Sequence, residues 1–241
     1  MKWFYIYSPK YEIFHKIIMS YFIHDVGFEL IPIFVPQEAF SNTYKYKEHF
    51  FAGNTLKIKF IIEALKDNQG EHIIFSDVDL IVKHHAKLYE YLQPYKRFDM
   101  VFMKDNMIDN TRNIGFSLLK SLPETICFFQ DVLDSIIKTN QQDQRIVNEL
   151  LPTFSGTNSI FTMAEMIQSN CHNMLNDFYV LQLLCSHSTP EENIAEKLCT
   201  VARIVDIKPY IHLVSPLTRE IIKNYFVNNP ANMFWINVLC S

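Results

Sequence analysis

The sequence predicts an α/β fold: a Rossmann-like, mostly parallel central sheet with helices on both faces, in one domain spanning residues 1–241. Three observations predict it. The chain opens as strand, amphipathic helix and strand, the unit from which parallel sheets are built. The run Ile73-Ile74-Phe75 is short and apolar throughout, as a strand covered on both faces must be. Strand-like and helix-like periodicities then keep alternating, with no linker, repeat or low-complexity tract to divide them.

Taken in order, residues 3–7 (WFYIY) form the first strand, ended by Ser8-Pro9. Residues 10–24 carry Ile13, Phe14, Ile17, Ile18 and Tyr21 at helical spacing, and Gly27 follows as a stop. Residues 28–35 return to strand character, with Pro32 marking an edge or a bulge because proline cannot donate to a ladder. The stretch EAFSNTYKYKEH, including Tyr44, Lys45, Tyr46 and Lys47, reads as a polar loop. Asn54-Thr55 can cap a helix reaching about Asp67, with Leu56, Phe60, Ile61 and Leu65 on one face. Asn68-Gln69-Gly70 breaks it before the strand Ile73–Phe75. Helices are expected over 85–92, 123–138, 142–151, 190–200 and 216–226, and strands over 98–103, 113–120, 178–184 and 202–207. His84-His85 reads as a solvated pair at a helix start.

Composition narrows the function classes. Hydrophobic residues make up 49% and charged residues 20%, ample for a core. Only 5 Gly are present, which argues against a glycine-rich phosphate loop. A net charge of −4 argues against a nucleic-acid partner, which calls for a basic surface. The 5 Cys are scattered, with no C-x-x-C, so a structural zinc site is not expected and a reducing compartment is. No apolar run approaches the roughly 20 residues of a membrane span. The start, MKWFYIYSPKYE, has strand rather than signal-peptide character. The expectation is a cytoplasmic protein with no membrane span.

The chemistry centres on SDVDLIV, where Asp77 and Asp79 form the single Asp-x-Asp of the chain. Such a pair arises easily by chance, but this one falls where an apolar strand ends, and open α/β sheets bind ligands outside those ends. Side chains two apart in extended chain point the same way. Both carboxylates can then face one hard divalent ion, Mg²⁺ or Mn²⁺, which takes oxygen ligands and keeps positions open for phosphate. The bland alternative is two capped or solvated acids at a strand end.

The order SDVDLIV, NIGFSLL, QDQRIVNELL, HSTPEENIAEKL after a β-α-β start resembles the nucleotide-diphospho-sugar transferases of the GT-A glycosyltransferase fold, over roughly residues 1–205. Within them it is similar to the DxD-containing group with an N-T-G strand and a D-Q-x-x-x-N helix. The resemblance implies a metal-dependent glycosyltransferase that takes a nucleotide-sugar donor, a UDP-sugar favoured, and a glycan or other hydroxyl acceptor. It implies a metal, Mn²⁺ or Mg²⁺, on Asp77, Asp79 and His187. It places Tyr7 and Ser8 near the nucleobase, and Lys57, Ser76, Val78 and Gly115 with Asp77 around the donor. Asn113, Asp143 and Gln144 fall beside the transferred sugar as catalytic candidates, and a retaining outcome goes with Asp143-Gln144. Two departures stand out: Ile114 replaces the Thr of N-T-G, and Lys208-Pro209-Tyr210 only faintly echoes a K-P-W ending.

Each residue has a plainer reading. His187 can be a surface loop histidine, Lys57 a solvated helix residue, Asn113 a turn residue and Asp143 a helix cap. Two other function classes stay open. A haloacid-dehalogenase-like phosphatase also carries D-x-D after a strand, with the first Asp as nucleophile, although Leu80-Ile81 follows here where such enzymes continue with Gly-Thr or x-Thr. A nucleotide-sugar-binding module without turnover is the third reading.

Overall fold

A computed structural model describes residues 1–22, 27–36, 46–105, 110–161, 167–168, 178–183, 189–202 and 204–227. The main sheet has six strands: β1 (Lys2–Tyr7), β2 (Glu29–Phe34), β3 (His72–Ser76), β5 (Met100–Lys104), β6 (Arg112–Lys120) and β7 (Asn158–Ile160). Their spatial order is β2-β1-β3-β6-β5-β7. β1 pairs in parallel with β2 and β3, and β5 with β7, while β6 runs antiparallel to both β3 and β5. The sheet is therefore mostly parallel with one reversed strand. Pro32 sits on β2, an edge strand, where its missing donor costs no ladder bond.

Seven helices are described: α1 (Glu12–Tyr21), α2 (Tyr46–Lys66), α3 (His85–Leu92), α4 (Pro123–Thr139), α5 (Asp143–Leu150), α6 (Pro190–Val201) and α7 (Pro216–Val227). The pleat sorts the apolar residues between two faces. Phe4, Ile73, Phe75, Phe102 and Leu119 pack against α2, α4 and α5. Tyr5 packs against α1, α6 and α7 on the opposite side, and Trp3, Ile74 and Leu118 meet Leu88 and Leu92 of α3 there. The Trp3 indole stands edge-on to Phe22, Phe28 and Phe116 at 5.3–5.8 Å. Each such buried side chain contributes about 1.5–3 kcal/mol.

After Phe75 the chain bends at the two acids and enters β4 (Leu80–Val82), in a separate three-stranded sheet of order β4-β9-β8 with β8 (Ile167–Gln168) and β9 (Val180–Gln182). Four expectations need correction. Residues 202–207 do not form a strand. Ala202 ends α6, and the amides of Ile204 and Val205 turn back to the Val201 carbonyl. A short apolar run does not distinguish a strand from a helix end that folds back onto the core. Helix α2 begins at Tyr46, so Asn54-Thr55 is interior and not a cap, and Tyr46–His49 are helical. Tyr44 and Lys45 lie outside the described residues. His85 is not solvated but buried edge-on against Phe22, and that burial lowers its pKa.

Topology brings the candidate residues together. β6 is antiparallel to β3, so its beginning abuts the end of β3, and the Asp77 amide extends the ladder by donating to the Gly115 carbonyl at 2.9 Å. β1 ends beside them at Tyr7.

Candidate functional site

Asp77 and Asp79 occupy the bend between β3 and β4, where one chain passes from the main sheet to the small one. Three carboxylates and two ammonium groups gather around that bend. Lys57, from α2, donates to Asp77 Oδ1 at 2.6 Å and lies 3.9 Å from Asp143 Oδ2. Lys197, from α6, donates to Asp79 Oδ2. The five groups sum to a net charge of −1 when ionised.

Burial sets their electrostatics. Burial pushes the Asp79 carboxyl up from its ordinary value, with the Lys197 ammonium pulling the other way. Burial likewise raises Asp143, opposed by Lys57. For Lys57, burial pulls down, but Asp77 and then Asp143 outweigh it and the pKa ends above the usual lysine value. Its ammonium is therefore a fixed charge that holds the two acids together.

Sequence reasoning missed two of the residues that shape this cluster. Gln182 of β9 donates from Nε2 to Asp77 Oδ2 at 2.6 Å, so a strand of the second sheet fixes the first acid. Gly115 makes that reach possible, because a Cβ there would lie 2.0 Å from Gln182 Nε2. Lys197 is the other omission. The 105 and 118 positions that separate these partners along the chain leave no local pattern to read.

The remaining expected residues divide. Asp143 is the first residue of α5 and its cap is Gln142, so the capping reading gives way to a buried acid facing Lys57. Gln144 follows it, half-buried, its backbone N–H donating to Asp143 Oδ1. Asn148, one turn on, clasps both the amide and the carbonyl of Arg112 and so ties α5 to the start of β6. Tyr7 ends β1 stacked on the His15 ring, with centroids 4.0 Å apart and planes 7° apart, and Ser8 opens the turn Pro9–Tyr11. Asn113 is turned inward: it accepts from the Gly115 amide at 2.7 Å and donates to Asp105 at 3.1 Å. Ser76 is 1% exposed, accepts from the Trp3 indole and donates to the Asp77 carbonyl. Val78 is buried in the apolar cluster with Phe178 and Ile194. His187 lies outside the described residues.

The donor set suits a hard divalent cation. Asp79 Oδ1 is a buried carboxylate oxygen with no hydrogen-bond partner, which a cation would satisfy. Asp77 has the more open carboxylate, its side chain 30% exposed. Among the described residues no group of three His, Cys, Asp or Glu side chains forms a ready ligand set. The residues that would hold a metal are therefore Asp79 and Asp77.

The mixed sheet with one reversed strand matches the fold of solved glycosyltransferases. The chain is similar to a glycosyltransferase involved in glycosylation of the major capsid of PBCV-1, at 10% identity and TM-score 0.54, covering 83% of this chain and 100% of that one. It is also similar to the glycosyltransferase GlyE of Streptococcus pneumoniae TIGR4, at 13% identity and TM-score 0.53, covering 94% of this chain and 63% of that one. No curated protein matches the chain in sequence. Residues 20–195 match the nucleotide-diphospho-sugar transferases, and the chain belongs to that family.

Proposed function

We propose that this protein is a metal-dependent glycosyltransferase, a single domain that moves a sugar from a UDP-sugar to a hydroxyl of a glycan or similar acceptor, with retention. The cluster of Asp77, Asp79 and Asp143 with Lys57 and Lys197, at the carboxyl edge of the sheet, carries the reading. Its net charge of −1 would repel a diphosphate. A Mn²⁺ or Mg²⁺ ion on Asp79 and Asp77 reverses that sign and, as a Lewis acid, offsets charge on the departing phosphate.

The chain's own residues supply the rest. Lys57 and Gln182 fix the two oxygens of Asp77, so that carboxylate meets its ligands without reorganising. The Tyr7–His15 stack offers a flat, rigid surface for a nucleobase beside Ser8. Asp143 and Gln144 open α5 beside Lys57, and this reading assigns them to the transferred sugar. The exposed Cys127 thiol fits a cytoplasmic setting. Among the described residues no helix is long and apolar enough to cross a membrane. The phosphatase reading gains no support, because residues 20–195 match the nucleotide-diphospho-sugar transferases.

A thermal-shift panel of UDP-, GDP- and CMP-sugars, with and without Mn²⁺, tests the proposal. The expected result is stabilisation by UDP-sugars that requires Mn²⁺ and disappears in Asp79→Ala. Silence toward every donor, together with turnover of a phosphomonoester, would sink it.

A further inference from the structure

Asp79 is closed from both sides. Its Oδ2 is taken by the Lys197 ammonium, and its Oδ1 is walled off from solvent without a hydrogen-bond partner. Both side chains of the pair are 11% exposed. A cation approaching this carboxylate therefore meets another cation first. Two positive charges on one buried carboxylate repel strongly, since little water lies between them to screen the repulsion.

We propose that Lys197 is a built-in counter-ion for Asp79 that a divalent metal must displace, so that metal binding and release of Lys197 are one exchange. The inference rests on the metal-dependent reading above. Lys197 has a second seat within reach. Its Nζ lies 5.7 Å from the centre of the Tyr11 ring, inside the range over which an aromatic face attracts an ammonium. Tyr11 closes the turn that follows β1, next to Tyr7 and Ser8. An ammonium expelled from Asp79 thus remains beside the turn that Ser8 opens.

The helix that carries the lysine is anchored at its start and not at the pair. Thr189 and Glu192 form a reciprocal capping box, and Ile194 and Leu198 pack into the core shared with α1 and α7. Only the long Lys197 stem needs to swing for the exchange. In the metal-free protein the lysine keeps the buried Asp79 charge compensated, which an isolated carboxylate there would not be.

Mn²⁺ titration of the metal-stripped full chain, read by calorimetry and by electron paramagnetic resonance of free Mn²⁺, tests the exchange without any turnover. Lys197→Met and Lys197→Gln are expected to bind Mn²⁺ at least about tenfold more tightly than the native chain, because the competitor is gone. Lys197→Arg, which keeps the charge, is expected to hold the native affinity. Neutral variants that bind Mn²⁺ no more tightly than the native chain overturn the proposal. If the native chain and all variants fail to bind Mn²⁺, the metal-dependent reading itself falls and the exchange with it. Should the neutral variants not fold without metal, circular dichroism on adding Mn²⁺ decides. Refolding supports the exchange, and persistent unfolding overturns it, since a lysine of purely structural use is not replaced by a cation.

Discussion

Replacing Gly115 by alanine isolates the contact between the two sheets. The new Cβ would lie 2.0 Å from Gln182 Nε2, 2.3 Å from Cδ and 2.4 Å from Oε1, so the amide has to move. The amide ends a flexible side chain, but Gln182 is buried, its Oε1 is enclosed, and its Nε2 is bonded to Asp77 at 2.6 Å. Overpacking of this kind costs about 1–3 kcal/mol. Losing a hydrogen bond to a charged carboxylate adds about 1.5–3 kcal/mol. The expected destabilisation of Gly115→Ala is therefore about 2–5 kcal/mol, short of the full sum because one movement relieves part of both. Urea unfolding of the native chain, Gly115→Ala, Gln182→Ala and the double variant measures it. With the amide removed the added methyl has space, so the double variant should recover about 1–3 kcal/mol relative to additivity. Strict additivity, or a Gly115→Ala midpoint equal to the native one, would refute the packing argument.

Other expectations follow from the same charges. Lys57→Met leaves the buried Asp143 and the more open Asp77 without their shared cation, and should cost about 3–5 kcal/mol in thermal or urea melts; an unchanged midpoint would mean that Asp143 is solvated. At high pH the sign of two shifts agrees. Burial raises Tyr5, with Tyr7 adding to it, and Lys57 is raised by Asp77 and Asp143 against the burial that pulls it down. In both cases the folded chain keeps a proton that the unfolded chain releases. Stability is full below the ordinary values of 10.0 and 10.5 and falls as pH rises through them, by up to about 1.4 kcal/mol per pH unit for each group. Tyr5→Phe should flatten that alkaline limb by one proton; identical slopes would place the Tyr5 hydroxyl in water.

Much of the fold was legible because its signals are local. The apolar run of β3, the helical spacing of Ile13, Phe14, Ile17 and Ile18, and the placement of Pro32 on an edge each follow from a few neighbouring residues. The errors fell where local signals are ambiguous. Ile204 and Val205 looked like strand residues but pack, partly buried, against the core from a turn at a helix end. His85 looked polar, yet its ring finds Phe22, far away in sequence.

The site shows the same division. The sequence alone was enough to put Asp77 and Asp79 at the end of a covered strand, Asp143 at a helix start, and all three in an order that resembles nucleotide-sugar transferases. Tertiary structure decided what surrounds them. It directed Lys57 to two acids, turned Asn113 and Ser76 inward, and brought Gln182 and Lys197 from the far half of the chain onto the two carboxylates. The reason is physical. Strand and helix identity follow from periods of two and 3.6 residues that any short window displays. The partner of a buried charge is chosen by which side chain the whole packing leaves within about 3 Å, and no window of sequence contains that.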